Sequence, residues 1–308
     1  MPIPAGVYVS PEAFVALSAY RPPTTALVAA HLRLDDWAAN AVDYNGTEWW
    51  ATGFDGWWGG SSMRTGATER PSDHGGFDGP SYLGPRTMTI SGVTLAPTTD
   101  LVLLARDTIV SLCSDLRSLY PLVVTETSGL TRQCMVRIVG DPKVADLNET
   151  AFEWQMSLVA PDPRRYSTSE TVLTMTAPAD PVGGLVVPFS VPFSIVSVGS
   201  SSTTETVTNG GTFGTRPVIT FSGPLSNPQI TNVTTGQTMA LTSVIAGGEW
   251  VVLDFDRRSV LLNGITSRAS TILHGSAWWE LAPGVNELQL AAADGEGSAT
   301  VRFRSAWR

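Results

Sequence analysis

Cysteine is scarce in this sequence, which excludes the class of small domains held together by disulfides. Cys113 and Cys134 are the only cysteines among 308 residues. Two thiols are too few for a disulfide framework or a structural zinc site. A free thiol usually behaves as a small apolar side chain. We therefore expect both cysteines to be buried.

Charged residues, apolar runs and targeting signals are also scarce. Charged residues make up 15% of the chain, the net charge is −9, and Lys143 is the only lysine. This balance lacks the basic excess that general binding to DNA or RNA requires. No run of about 18 apolar residues is present, so we expect no membrane span. The first residues lack the basic start and apolar core of a signal peptide, so we expect no secretion.

The common motifs of catalytic and metal sites are missing as well. The three histidines form no metal-ligand pair, and the single lysine follows a proline, which excludes a Walker-type phosphate loop. Residues 73–79 lack the aspartate order and closing glutamate of a calcium loop, so a turn is favoured. Asp254 and Asp256 would share one face of a strand, but Arg257 and Arg258 follow directly, which favours a solvated hairpin end. We therefore predict no catalytic, cofactor-binding or metal-binding residues.

The first half of the chain has the pattern of a sheet with one helix. Residues 99–119 carry apolar side chains at helical spacing, with Thr99 as the predicted cap and Pro121 as the stop. The apolar face of this helix is predicted to comprise Leu101, Leu104, Thr108, Ile109, Leu112 and Leu116. Strands are predicted at residues 27–34, 87–93, 135–139 and 152–159.

A glycine-rich region without periodicity, residues 52–86, separates two of these strands. We predict a long loop. Loops of this length in a compact domain are usually functional or bound to a partner. This region is the strongest indication of an interface that the residues themselves give.

Helix signals vanish in the second half of the chain. Residues 186–198 are extended and interrupted by prolines, which suits an edge strand or arm. Short strands separated by turn signals follow, which is typical of an antiparallel sandwich. They are predicted at residues 217–222, 249–255, 259–263, 287–292 and 298–305. We predict three segments: an N-terminal domain (1–166), an extended linker or arm (167–198) and a C-terminal β-sandwich (199–308).

Residues 154–167 begin as an alternating strand and then change character. Pro161-Asp162-Pro163 ends the predicted strand, and Arg164-Arg165-Tyr166 follows. We expect the Asp162 carboxylate to accept a backbone N–H of the turn. Pairing of Arg164 and Arg165 with carboxylates across a domain or subunit boundary is the favoured hypothesis, and contact with phosphate is the alternative.

Three tryptophan pairs raise the question of ligand platforms: Trp49-Trp50, Trp57-Trp58 and Trp278-Trp279. Adjacent residues on a strand face opposite sides, so at most one ring of each pair would contact a ligand. We favour one ring in the core and one at a rim or interface. The alternative function, sugar binding by the C-terminal sandwich, assigns its contacts to Trp278 and Trp279.

The order of these pieces resembles the distal tail proteins of long, flexible-tailed, siphovirus-type bacteriophages, also called minor tail proteins, particularly a family in phages of actinobacteria. In the first half, the resemblance rests on Asp55-Gly56-Trp57, Tyr82-Leu83-Gly84-Pro85-Arg86 with the strand 87–92, and Trp154 with residues 160–166. In the second half, it rests on Asn209-Gly210-Gly211-Thr212, Arg216-Pro217, Gly223-Pro224, Asn227-Pro228, Gly248-Glu249, Asp254, Val260, Asn263-Gly264 and residues 281–286.

The resemblance implies a mainly β fold with one substantial helix. The N-terminal domain would be a tube-like β-sandwich or barrel, and the C-terminal domain a galectin-like or carbohydrate-module-like antiparallel sandwich. The implied function is that of a non-enzymatic virion protein, without cofactors, in a hexameric ring at the tail tip. The implied partners are further copies of itself, the tail-tube protein, the tail-tip or baseplate hub and the tape-measure protein, with DNA only in transit. Assembly would take place in the host cytoplasm.

The resemblance also suggests residues for contacts between subunits or domains: Trp57, Trp58, Arg86, Asp162, Arg164, Arg165 and Tyr166. An acidic chain suits a channel for DNA, because fixed negative charge repels phosphate. Two alternatives to a ring subunit remain open: a carbohydrate-binding module that contacts the host wall, and a cell-wall hydrolase.

Overall fold

The computed structural model describes Val28 and residues 30–177 and 202–308, and these residues form β-strands and one α-helix. The chain divides into two compact units, Met1–Thr168 together with Arg308, and Ser169–Trp307. The predicted bounds 1–166, 167–198 and 199–308 stay a prediction, although residues 171–176 of the predicted extended segment 167–198 form a strand of the second unit. The predicted extended stretch 186–198 lies outside the described residues. No helix in the described part of the chain is long and apolar enough to cross a membrane.

The first unit is built around an antiparallel sheet in the order β2-β1-β10-β11-β13-β9-β4-β3, with β12 paired to β13 and β14 paired to β11. Its described strands do not close into a barrel. The elements are β1 (His31–Leu34), β2 (Trp37–Ala39), β3 (Ala41–Val42), β4 (Glu48–Asp55), β5 (Met63–Arg64), β6 (Thr68–Glu69), β7 (Gly76–Phe77), β8 (Tyr82–Leu83), β9 (Arg86–Leu95), α1 (Thr99–Ser111), β10 (Tyr120–Thr125), β11 (Thr131–Ile138), β12 (Lys143–Asn148), β13 (Ala151–Ala160) and β14 (Arg165–Ser167).

The centre of this sheet is the pair β9–β13, which is aligned over the full length of both strands. Alternate residues of β13, Trp154, Met156 and Leu158, are buried in the core of the unit. The alternation predicted for residues 152–159 is therefore confirmed, because every second side chain of β13 points into the core. β13 ends at Ala160, directly before Pro161.

Helix α1 differs from its prediction at both ends. Thr98, not Thr99, is the N-cap, and its hydroxyl accepts a hydrogen bond from the backbone N–H of Leu101. The helix ends at Ser111 rather than at residue 119, because Leu112 is extended and Cys113 has a φ of 54°. Pro121 consequently lies inside β10 and does not stop the helix.

The buried face of α1 also differs from the predicted one. Val102, Ala105 and Ile109 are its buried residues, whereas Leu104 and Leu116 are exposed. The stripe predicted from helical spacing is confirmed at Ile109, and Leu101 and Leu112 are partly buried against the core, but the prediction missed Val102 and Ala105 and wrongly included Leu104 and Leu116. Part of the apolar surface of the helix therefore has no cover in this unit.

The second unit is formed by two antiparallel sheets and a small two-stranded one, as predicted for a sandwich of short strands. The orders are β15-β26-β17-β22-β23-β24, β16-β25-β19-β20 and β18-β21. The strands are β15 (Thr171–Thr176), β16 (Ser202–Asn209), β17 (Val218–Ser222), β18 (Leu225–Ser226), β19 (Gln229–Asn232), β20 (Gln237–Ala240), β21 (Val244–Ile245), β22 (Trp250–Asp254), β23 (Ser259–Leu262), β24 (Thr266–Ser267), β25 (Gly284–Ala291), β26 (Ser298–Phe303) and β27 (Ala306–Trp307), with a 3-10 turn at Ala269–Thr271. One hydrophobic cluster joins side chains from both large sheets, among them Phe221, Leu253, Leu288 and Val301.

Both cysteines are buried in the first unit, as predicted. Burial raises the pKa of the Cys113 thiol to about 11, with a further contribution from Asp35, and burial raises the pKa of Cys134 to about 12. The ordinary pKa of a cysteine thiol is 9.0, so the thiolate fraction of each folded residue at pH 8 is at least about 100-fold below that of a free thiol.

We expect a thiol reagent such as DTNB to label the native protein at pH 8 at least about 100-fold more slowly than the unfolded protein in guanidinium chloride. Since unfolded thiols ionise near pH 9 while the folded ones stay neutral, stability should also fall as pH rises from 9 towards 11. Comparing labelling rates in the native and denatured states checks the first expectation. Rapid labelling of one native thiol would contradict the burial of that residue.

Candidate functional site

The structure brings six of the seven predicted interface residues into one cluster of the first unit. This corner cluster consists of Trp57, Arg86, Asp162, Arg164, Arg165 and Tyr166. Trp57 follows β4, and Arg86 is the first residue of β9. The other four residues lie in or after the turn between β13 and β14. Residues far apart in the sequence therefore meet where β4, β9 and β13 approach one another.

Arg86 is the centre of the corner cluster, with only 1% of its surface exposed. Its Nη1 donates to the carbonyl oxygens of Gly56, Trp57 and Gly59 at 2.9, 3.0 and 2.6 Å. Its Nε donates to the carbonyl of Pro163 at 3.0 Å, while Nη2 has no hydrogen-bond partner among the described residues. Burial lowers the pKa of Arg86, and the positive charge of Arg308 lowers it further.

The turn after β13 is closed by Asp162, as predicted. Its Oδ1 accepts a hydrogen bond from the backbone N–H of Arg164 at 3.1 Å. Its Oδ2 accepts one from the Tyr166 hydroxyl at 2.5 Å, and the Arg164 guanidinium lies 3.6 Å from Oδ1. One carboxylate thus fixes the positions of the two residues that flank Arg165.

Arg165 is buried against the indole of Trp57, and its guanidinium carbon lies 5.6 Å from the ring centroid. Its Nη2 also donates to the backbone carbonyl of Arg308. Burial lowers the pKa of Arg165 to about 10, and the neighbouring charges of Arg86 and Arg132 lower it further. A guanidinium enclosed in this way contacts protein groups of its own unit, and contact with phosphate stays an open alternative.

Burial separates the predicted interface residues into two groups. Arg86, Arg164 and Arg165 are buried, whereas the Trp58 ring is exposed and contacts Phe54 edge-on at 5.5 Å. The contacts of Arg86 and Arg165 described above are structural ones within the first unit. A role of any of the seven residues in contacts with other subunits stays a prediction.

The arm, defined here as residues 58–85, is the main part of the glycine-rich region. It contains two short antiparallel ladders, β5–β8 and β6–β7, which the sequence did not predict. Each ladder has only two residue pairs, too few to leave a periodic pattern. A Cβ on Gly79 would lie 2.6 Å from the carbonyl oxygen of Gly66, so the close approach of the two sides requires glycine.

Nearly all side chains of the arm are exposed, including large apolar ones. Met63 is 60% exposed, Tyr82 61% and Phe77 58%. The base of the arm is held by Arg86, because the carbonyls of Gly56, Trp57 and Gly59 all accept its hydrogen bonds. The corner cluster thus anchors a hairpin whose side chains are largely exposed.

The predicted sugar contacts of the second unit differ in accessibility. Trp279 is 1% exposed, and Trp278 is half-buried with its ring edge-on to Phe255 at 5.2 Å. Only Trp278 can therefore contact a ligand, and a sugar site there stays a prediction. Sequence reasoning missed Arg216, which lies 2.6 Å from Asp256 and 2.9 Å from Glu280 and links two loops.

The suspected carboxylate pair of the second unit is a turn, as predicted. Asp254 Oδ1 accepts hydrogen bonds from the backbone N–H groups of Asp256 and Arg257, both at 2.9 Å. The carboxylate of Asp256 contacts Arg216 instead. The described part of the chain contains no group of three or more acidic, histidine or cysteine residues that could hold a metal ion.

Comparison with known proteins gives one family match, at residues 210–307, to the family described as siphovirus-type tail component, C-terminal domain. The structure is similar to that of the SPP1 Dit (gp 19.1) protein, with a TM-score of 0.61 and 16% identity over 91% of this chain and 99% of that chain. That protein is described as a paradigm of the hub adsorption apparatus in phages that infect Gram-positive bacteria. No curated protein matches the sequence significantly.

A second similar structure is the baseplate of phage P2 in its activated conformation with Ca, with a TM-score of 0.45 and 8% identity over 89% of this chain and 97% of that chain. The family match and the SPP1 Dit fold confirm three predictions: the resemblance to siphovirus-type distal tail proteins, the mainly β fold and a location in the tail of the virion. A host among the actinobacteria stays a prediction.

Proposed function

We propose that this chain, whose residues 210–307 match the siphovirus-type tail component family, is a non-enzymatic ring subunit of the phage tail tip. Six copies form the ring. It joins the tail-tube protein on one side to the tail-tip or baseplate hub on the other, near the tape-measure protein. Its centre is a channel for DNA.

The observation that carries this proposal is the exposed arm. A two-stranded hairpin on its own is marginally stable at best in water. The arm also exposes Met63, Phe77 and Tyr82, and apolar side chains grouped on a projecting element are typical of a surface that another protein covers. A structural subunit that assembles with neighbours provides that cover.

The charge of the chain supports the proposed channel. At a net charge of −9, the protein repels phosphate, so DNA can slide through a ring without binding to it. The buried state of Arg86, Arg164 and Arg165 agrees with this, since these cations are removed from any surface that DNA would touch.

We expect the purified protein, alone or with its tube and tip partners, to form particles of about six chain masses that appear as rings in negative-stain electron microscopy. Mass photometry over a range of protein concentrations checks the stoichiometry. A variant in which residues 63–83 are replaced by a short Gly-Ser linker should stay monomeric. A wild-type protein that remains monomeric, even when the tube and tip proteins are added, would overturn the proposal.

A further inference from the structure

A groove of about 440 Å³ lies in the first unit between α1 and the edge formed by β2 and β3. On the helix side, its lining includes Leu101, Leu104 and Leu112. On the sheet side, it includes Trp37 and the exposed ring of Tyr44. Leu101 and Leu112 are partly buried and pack against the core, whereas Leu104 is exposed, so the helix is apolar over a wider arc than its own sheet covers.

Carboxylates line one end of this groove. Asp35 and Asp36 are exposed at its rim, with Arg33 as the one basic residue in the lining. The carboxylate of Asp43 is occupied, because it accepts hydrogen bonds from the N–H groups of Asn45 and Thr47 and from the Trp49 indole. Asp35 and Asp36 are therefore the acceptors that a docked partner would meet.

The β5–β8 ladder of the arm has chemistry that complements these carboxylates, whereas the acidic residues of the arm, Glu69, Asp73 and Asp78, lie outside that ladder. Arg64 and Tyr82 lie opposite each other on β5 and β8, next to Met63, and all three side chains are exposed. Arg64 forms no ion pair within the described part of the unit, in contrast to Arg70, which lies 3.5 Å from Asp73. A cation between apolar side chains on the arm matches carboxylates beside an apolar groove.

A ring of more than two identical copies needs two different surfaces on each copy, because every interface is head-to-tail. The first unit carries two uncovered apolar surfaces: the groove, with the exposed carboxylates of Asp35 and Asp36, and the β5–β8 ladder of the arm, with the exposed cation of Arg64. We propose that the arm of one copy docks in the α1 groove of the next copy, with Arg64 against Asp35 and Asp36 and with Met63 and Tyr82 against Leu104. This inference rests on the proposed ring and specifies its interface.

Two variants test the arm and the groove independently. The arm variant combines Arg64→Asp with Tyr82→Ser, and the groove variant combines Asp36→Arg with Leu104→Ser. All four residues are exposed, so the unit should stay folded, and circular dichroism checks this. If Leu104→Ser unfolds the unit, Asp36→Arg alone serves as the groove variant. Leu103→Ser is the matched control, because Leu103 is an exposed leucine on α1 outside the groove.

Each variant alone should be monomeric, whereas the wild type and the Leu103→Ser control should assemble. An equimolar mixture of the two variants should give a 1:1 dimer and nothing larger, because only one intact arm and one intact groove can meet. A chain that carries both Arg64→Asp and Asp36→Arg should regain assembly. Mass photometry distinguishes these species.

The results that would overturn this interface differ from those that would overturn the ring. Variants that assemble like the wild type, or a mixture that gives no dimer while the wild type assembles, would overturn the arm-to-groove interface and leave the ring standing. A wild type that stays monomeric even when the tube and tip proteins are added would overturn the ring itself.

Discussion

Replacement of Arg86 by alanine is expected to lower the free energy of unfolding of the first unit by about 3–5 kcal/mol. Four carbonyl oxygens lose their donor, and a buried polar group left unsatisfied costs about 1–3 kcal/mol. Water that enters the vacated space satisfies some of them, and the removal of a desolvated cation offsets part of the loss. The total therefore stays below the sum of the four costs.

Urea denaturation followed by tryptophan fluorescence measures this change. Arg86→Lys should recover less than half of the loss, because an ammonium group cannot reproduce the planar fork that reaches several carbonyls. Arg64→Ala is the control, since Arg64 is exposed, and it should change the stability of the isolated chain by less than about 0.5 kcal/mol. A loss of less than about 1 kcal/mol for Arg86→Ala would show that the hydrogen bonds of Arg86 to the base of the arm contribute little to stability.

The strands could be predicted from the sequence because their signals are local. Alternation placed β9 and β13, and turn residues such as Asn263-Gly264 placed β22 and β23 within a residue or two of their observed bounds. Each of these patterns needs only neighbouring residues to be read. The tertiary structure then adds the partner strands without changing the pattern.

The helix face and the arm could not be read in the same way. Which leucines of α1 are buried depends on where the helix meets the sheet, and here small residues such as Ala105 face the core while Leu104 does not. The ladders of the arm are too short for a periodic signal. Both errors concern surfaces that we expect another protein chain to cover.

The corner cluster was predicted through resemblance, and its physical basis needed the structure. Arg86 and Pro163 are 77 positions apart in the sequence, and nothing local in either segment indicates that a guanidinium will meet that carbonyl. Arg164 and Arg165 were expected to pair with carboxylates across a domain or subunit boundary, because guanidinium forks suit that role. A contact across such a boundary stays a prediction; their burial beside Asp162 and the Trp57 ring is what the sequence did not indicate.

Gly92→Ala is expected to destabilise the first unit by about 3 kcal/mol, at the upper end of the range for overpacked cores. Gly92 lies directly opposite Trp154 in the β9–β13 pair, and a Cβ there would be 2.2 Å from Cζ2 of the indole and 2.3 Å from the carbonyl oxygen of Trp50. The indole cannot swing away, because its Nε1 donates to the Thr94 hydroxyl at 3.0 Å and its ring meets Trp37 at 5.3 Å.

Thermal and urea denaturation of Gly92→Ala, with Gly59→Ala as a control at a position where a Cβ meets nothing within 4 Å, measure this effect. A change as small as that of the control would contradict the packing of this strand pair. Combining Gly92→Ala with Trp154→Phe separates the two clashes. The double variant should lose less stability than the sum of the single variants, because the contact with the indole is counted in both. It should still be less stable than Trp154→Phe alone, because the Trp50 carbonyl belongs to the backbone of β4 and cannot move without breaking the pairing of β4 with β9.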